Sequence, residues 1–142
     1  MAPEAAAPPD ELLMALPAVS TSTRRVRQRL RAWLTGWGWT DDGLDDIVMA
    51  VDEAVSNVVE HAYRLQPAPG DVRVHARISA GAGERRAVVA VTDGGRWRPV
   101  PGDPGHRGRG LMMMDRFMAT LRIDRGDGGT VVTMTSVALP AG

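Results

Sequence analysis

Three side chains in the stretch DEAVSNVVEHAY, residues 52 to 63, have types that can do chemistry and a spacing that lets them act together. Glu53, Asn57 and His61 are four residues apart, so a helix stacks them in one row, each a turn from the next. A carboxylate followed one turn later by a neutral oxygen donor can place a proton acceptor beside a hydrated Mg²⁺. That combination suits phosphoryl transfer, where the protein mainly supplies position and charge. The same row also fits an exposed helix side with no chemical role. Asparagine weighs against that alternative, because in mid-helix its side chain competes with the backbone for hydrogen bonds.

The row needs a helix that buries its other side. Taking Val51 as zero at 100° per residue, Val55, Val58 and Ala62 fall within about 40° of it. Ile47, Val48 and Val59 widen this apolar face, while Glu53, Asn57 and His61 fall at about 200°, 240° and 280°. The spacing predicts a helix from Thr40 or Asp41 to Tyr63 or Arg64, closed by QPAPG, with Asp41, Asp42, Asp45 and Asp46 favoured near its positive N-terminus. Before it, ELLMALPA reads as a strand. Ser20, Thr21 and Ser22 offer caps for a first helix ending near Trp33 or Thr35. Val26, Leu30, Trp33, Leu34 and Trp37 form its apolar stripe. Arg24, Arg25, Arg27, Arg29 and Arg31 on that helix read as a solvated face, with a partner-binding surface as the alternative.

After the second helix, DVRVHARIS and RRAVVAVTD read as two strands joined by AGAGE. GGRWRPVPGDPGHRGRG, with Pro99, Pro101 and Pro104, predicts a long irregular loop. LMMMDRFM restores a helix, and ATLRID with GTVVTMTSVAL forms a hairpin around RGDGG. The element order predicts an α/β (α+β) two-layer sandwich, with helices on one face of a mixed, mainly antiparallel sheet. Residues 1–10, rich in Pro and Ala, read as a disordered lead-in to one domain over 11–142.

Three glycine segments add to the polar row. VTDGG ends a predicted strand with Asp93, whose carboxylate can accept a hydrogen bond from an exocyclic amine, and Gly94 and Gly95 permit close backbone approach. GHRGRGL precedes a helix, so Gly108 and Gly110 can present N–H groups to an anion while Arg107 and Arg109 add charge. GDGGT, with Gly128, Gly129 and Thr130, reads alone as a hairpin turn, as does Asp-Gly at 93 and 94.

Composition removes several classes of chemistry. The chain has 142 residues, no cysteine and no net formal charge. Thiol nucleophiles, disulfides and thiolate metal sites are excluded, and the charge balance argues against a nucleic-acid partner. All 17 basic residues are arginine. A P-loop, Schiff-base chemistry and a lysine general base are therefore excluded as well. The N-terminal residues lack a signal-peptide pattern and no apolar run reaches membrane-spanning length, which predicts a soluble cytoplasmic protein without a membrane partner.

The succession EAVSNVVEHAY, TDGG, GHRGRGL and GGT resembles the N, G1, G2 and G3 boxes of the GHKL (Bergerat-fold) ATPases. The E-A-x-x-N-x-x-x-H-A-Y form is most similar to the bacterial anti-sigma-factor serine/threonine kinases, and the resemblance runs from about Glu11 to Leu139. It implies ATP and Mg²⁺ as cofactors, with Asn57 on the metal, Glu53 as general base, and His61 supporting the site. Asp93 would bind the adenine amino group, with Gly95 allowing close approach and Thr130 near the adenine. Gly108, Gly110 and Leu111 would form the phosphate-facing end of a lid spanning about Trp97 to Arg107. The implied partners are a STAS-domain antagonist, phosphorylated on Ser or Thr, a sigma factor, and a second copy in a homodimer. The family's G1 pattern, D-x-G-x-G, is broken here by Trp97 at its last position, which puts lid motion and turnover in question. A regulatory module that binds a partner without phosphorylating it is the alternative.

Overall fold

The computed structural model describes residues 8–63, 66, 68, 70–95, 117–126 and 128–140. Trp97, the expected lid, Arg107, Gly108, Arg109, Gly110 and Leu111 all lie outside these residues. So does the helix expected at LMMMDRFM, apart from Phe117 and Met118.

The first strand, β1 (Glu11–Pro17), alternates as a half-covered strand should: Met14 is buried between partly buried Leu12 and Leu16, and Leu13 points outward, 66% exposed. Its entry is held in place. The indole N–H groups of Trp33 and Trp37 both donate to the Pro9 carbonyl, at 2.7 and 3.0 Å. Pro9 falls in the stretch expected as a disordered lead-in, and this part of it is bonded to the fold.

Helix α1 (Ser20–Gly36) buries Val26, Leu30, Trp33 and Leu34 of the expected stripe, while Trp37, its fifth member, is the C-cap residue and partly buried. Its cap differs from expectation. Val19, in extended conformation, is the N-cap, and no side chain caps the helix. Ser20, Thr21 and Ser22 lie inside the first turn, where Ser22 N–H donates to the Val19 carbonyl and Ser22 itself is buried. Helix α2 (Asp41–Asn57) carries Asp41 and Asp42 in its first turn, where the helix dipole favours them. Arg27–Asp52 at 2.9 Å and Arg31–Asp45 at 3.0 Å tie the two helices together at the surface. Such exposed pairs contribute about 0–1 kcal/mol each. Arg24, Arg25 and Arg29 are exposed, as on a solvated face.

Strands β2 (Asp71–Gly81), β3 (Glu84–Asp93), β4 (Thr120–Gly126), β5 (Gly129–Thr135) and the short β6 (Leu139–Pro140) complete the sheet. The order is β1-β2-β3-β5-β4, with β6 paired to β3. Every described pairing is antiparallel. Val72, Val74, Ala76, Ala87, Val89, Val91 and Met134 form the sheet side of one core, closed by Leu30, Leu34, Ile47, Val51 and Val55 from the helices.

GTVVTMTSVAL was expected to run as one strand, and it is interrupted. The buried Ser136 hydroxyl accepts the Ala87 N–H at 2.9 Å and donates to the Val137 carbonyl at 3.0 Å. With its hydroxyl spent on the ladder, the chain leaves β5, and Leu139 rejoins the sheet opposite Arg85. Arg85 in turn stacks over the Trp37 ring, 5.7 Å from its centroid, and donates to the Trp37 carbonyl. Among the described residues, no helix is long and apolar enough to cross a membrane.

Candidate nucleotide site

The α2 helix does not continue to Tyr63 as one α-helix. It ends at Asn57 and is followed by a π-helical segment, Val58–Ala62. Insertion of a π turn in an α-helix is frequent at functional sites, because i→i+5 bonding shifts the register of everything after it. Glu53 and Asn57 precede the shift and share one face, a turn apart. All three polar residues of the expected row are half-buried beside the core-facing Val51, Val55, Val58 and Ala62. His61 belongs to the π segment, so it departs from the straight row drawn on an α-helical wheel. Its Nε2 lies 3.5 Å from a Glu60 carboxylate oxygen.

Burial raises the pKa of Glu53 above the ordinary glutamate range, and the neighbouring Glu60 and Asp52 carboxylates push it the same way. A carboxylate made more basic is better matched to taking a proton from a hydroxyl near neutral pH. It also has a cost for folding. The native state holds the Glu53 proton more tightly than the unfolded chain, so stability falls as pH rises from the ordinary glutamate range through the raised pKa. Glu53→Gln should therefore unfold at a higher temperature than the parent at pH 7. The difference should vanish below pH about 4. Thermal unfolding followed across that pH range checks the sign.

The second half of the site is the end of β3. Asp93 is 4% exposed, and its Oδ1 accepts the Gly95 N–H at 2.9 Å. Thr130, also buried, is its register partner on β5. Gly129 precedes it with φ +133°, and a side chain there would run into the Asp93 carbonyl. The two strands can close around Asp93 only with glycine at that position. Gly95 is equally constrained: a Cβ would overlap the Ala62 carbonyl in the π segment. Thus the end of the polar helix and the Asp93–Gly95 turn are in direct backbone contact.

This contact sets the π segment that carries His61, and that continues the helix of Glu53 and Asn57, against the turn that follows Asp93. Asn57 and Glu53 come from the helix, and Asp93, Gly95 and Thr130 from the central strands. Tyr63, which the sequence reading left without a role, bridges the two: its hydroxyl donates to the Asp71 carbonyl at 2.6 Å and accepts the Gly94 N–H at 2.9 Å. It is the chain's only tyrosine, placed directly after the polar row, and that position is the sequence signal for it.

The donor chemistry fits a magnesium nucleotide. A carboxylate offers about four lone-pair positions, so Asp93 can accept an exocyclic amine in addition to the Gly95 N–H. Among the described residues, no group of three or more His, Asp or Glu side chains is placed to hold a metal ion. Mg²⁺ in nucleotide sites takes few protein ligands and completes its shell with phosphate oxygens and water, so such a cluster is not required, and the Asn57 amide oxygen is a hard donor that would serve as one ligand.

Comparison with known proteins agrees with this fold. The profile of the family described as Histidine kinase-like ATPase domain matches residues 16–136. A serine-protein kinase RsbW of Halalkalibacterium halodurans is 30% identical over 142 residues, covering 89% of this chain and 83% of its own. A protein of the same name from Bacillus subtilis is 29% identical over 137 residues, covering 86% and 82%. The crystal structure of the RsbU and RsbW domains of Rv1364c from Mycobacterium tuberculosis superposes with a TM-score of 0.69 at 35% identity, over 94% of this chain and 34% of that one. The chain spans about a third of that larger protein. With a matching profile over most of its length and a π-bulged polar helix set against a buried strand-end aspartate, this chain belongs to the histidine kinase-like ATPase domains, in the branch of the serine-protein kinases.

Proposed function

We propose that this protein transfers the γ-phosphate of ATP to a Ser or Thr hydroxyl of a small STAS-domain antagonist, and that it binds and inactivates a sigma factor when that antagonist is phosphorylated. The observation that carries the catalytic part is the half-buried Glu53 carboxylate, one helical turn before Asn57 on the helix whose π-helical continuation abuts the Asp93–Gly95 turn. Glu53 takes the proton of the attacking hydroxyl. Asp93 accepts the adenine amino group, Gly95 and Thr130 shape the base pocket, and Asn57 holds Mg²⁺, which would neutralise charge on the phosphates when bound. His61 supports the helix end. Gly108, Gly110 and Leu111 complete the reading as the phosphate-facing end of a lid, with Arg107 and Arg109 adding charge and donors for phosphate oxygens.

The partners are those that the resemblance to the anti-sigma-factor kinases implies: an antagonist as substrate, a sigma factor as regulated target, and a second copy of the chain. This makes the protein a cytoplasmic regulator of transcription that touches neither nucleic acid nor membrane directly. The neutral charge supports that part of the reading.

Calorimetric titration with ATP, with and without Mg²⁺, tests the core of the proposal. Binding should require Mg²⁺ for full affinity, and Asn57→Ala should weaken Mg-ATP binding about tenfold or more while ATP without metal is little affected. Full-affinity binding by Asn57→Ala removes Asn57 from the metal. No binding by the parent chain at millimolar ATP leaves a regulatory module that works through protein contacts alone, the reading that Trp97 in the G1 pattern favours.

A further inference from the structure

Tyr63 ties together three pieces of backbone that are distant in sequence. It follows the π segment, its hydroxyl donates to the Asp71 carbonyl at the start of β2, and it accepts the Gly94 N–H just past β3. Its ring is seated against Gly70, where an added Cβ would come within 2.5 Å of Tyr63 Cε1. Gly94 lies between Asp93 and Gly95, and those two are themselves linked by the Gly95 N–H to Asp93 Oδ1. The Asp93–Gly95 turn is therefore gripped from three directions: by the Asp93 carboxylate, by the Ala62 carbonyl pressed against Gly95, and by the Tyr63 hydroxyl.

From this geometry we infer that Tyr63 is a positioning residue for purine selection, holding the Asp93–Gly95 turn so that its carboxylate cannot move away from the wrong base. The inference rests on the proposed contact between Asp93 and the base. An ionised carboxylate only accepts hydrogen bonds. Adenine presents an amino donor at the six-position of its ring, and guanine presents a carbonyl acceptor there. A fixed carboxylate meets the guanine oxygen with acceptor against acceptor and rejects it. A carboxylate on a loose turn swings aside and lets water bridge the two, and the selection fades. Selectivity in this pocket thus depends on the stiffness of the turn as much as on the charge of Asp93. Tyr63 supplies that stiffness through a hydrogen bond to backbone, with no contact to the ligand required.

The test is the ratio of dissociation constants for Mg-GTP and Mg-ATP, measured by calorimetry on the full chain. Tyr63→Phe keeps the ring and removes the hydroxyl, and its ATP preference should shrink about three- to tenfold, the size expected for loss of one hydrogen bond. Gly70→Ala displaces the ring from the other side and should reduce the ratio in the same direction. A general loss of stability lowers both affinities together and does not move the ratio, so the ratio separates positioning from simple support of the fold. An unchanged ratio in both variants overturns the inference. Asp93→Asn keeps the two readings apart, because its amide can donate to a carbonyl and should abolish or invert the preference. If Asp93→Asn leaves the ratio untouched, or the parent chain binds neither nucleotide, the reading of Asp93 falls and this one falls with it.

Discussion

Glu53→Gln is expected to lower phosphoryl transfer to a partner hydroxyl by about 10²- to 10⁴-fold, the usual contribution of a positioned general base, while Mg-ATP binding stays within a few-fold of the parent. Glutamine preserves the length of the side chain and the helix around it, so Asn57 one turn later keeps its place. What is lost is the capacity to take a proton. The pH profile gives a second, independent readout. Because burial and the nearby Glu60 and Asp52 raise the Glu53 pKa, transfer by the parent should decline with falling pH sooner than an unperturbed carboxylate would allow. The residual activity of Glu53→Gln should lack that limb. A variant that phosphorylated a partner at the parental rate would remove Glu53 from the chemistry and leave the polar row as an ATP-binding surface only.

The second large effect is steric. Gly94 and Gly95 look equivalent in the sequence, yet their surroundings are different. A Cβ on Gly94 meets nothing closer than the Gly128 carbonyl at 3.8 Å and the Tyr63 hydroxyl at 3.9 Å, which are ordinary contacts. A Cβ on Gly95 would overlap the backbone carbonyl of Ala62. Neither the strand end nor the π segment is a flexible side chain that can turn aside, so one of them must shift. Gly95→Ala should destabilise the fold by about 3 kcal/mol, the upper range for overpacking. It should also weaken ATP binding about a hundredfold or more, because the shift separates Asp93 from the Asn57 helix. Gly94→Ala should stay within about 0.5 kcal/mol of the parent, as surface changes usually do. Thermal unfolding and ATP titration of the pair decide the matter, and equal behaviour of the two variants would refute the close approach.

These two glycines also mark the boundary of what the sequence can reveal. The apolar stripes of α1 and α2, the alternating strands and both hairpins were legible because side-chain periodicity reports directly on which face is buried. The placing of Glu53 and Asn57 on one helix face was legible for the same reason, as was the carboxylate at the end of β3, whereas His61 left the expected row. The π segment was not. Its signature is a change in which carbonyl each N–H selects, and the side chains of VVEHA continue an α-helical pattern without visible interruption. The departure of Ser136 from β5 was hidden because it depends on a buried hydroxyl meeting Ala87 across the sheet. The Tyr63 bridge was hidden because its partners, Asp71 and Gly94, come near it only after the sheet has formed. Local pattern thus identified the polar side chains of the candidate site, and the contacts that place them belong to tertiary structure.

The connectivity of the sheet has a consequence for how the molecule assembles. The β2–β3 and β4–β5 pairs are joined by tight turns, so each can close on the microsecond scale of an isolated hairpin. The first strand has no such neighbour in sequence. Glu11 faces Arg77 and Pro17 faces Asp71, so pairing β1 with β2 closes a loop that contains both helices. Closing so large a loop costs entropy that the local hairpins avoid. In kinetic terms β1 should therefore be the last strand in and the first strand out. The two indole groups that grasp the Pro9 carbonyl then act as a latch on the slowest step, and hydrogen exchange along β1 should report the release of that latch before any other part of the sheet opens.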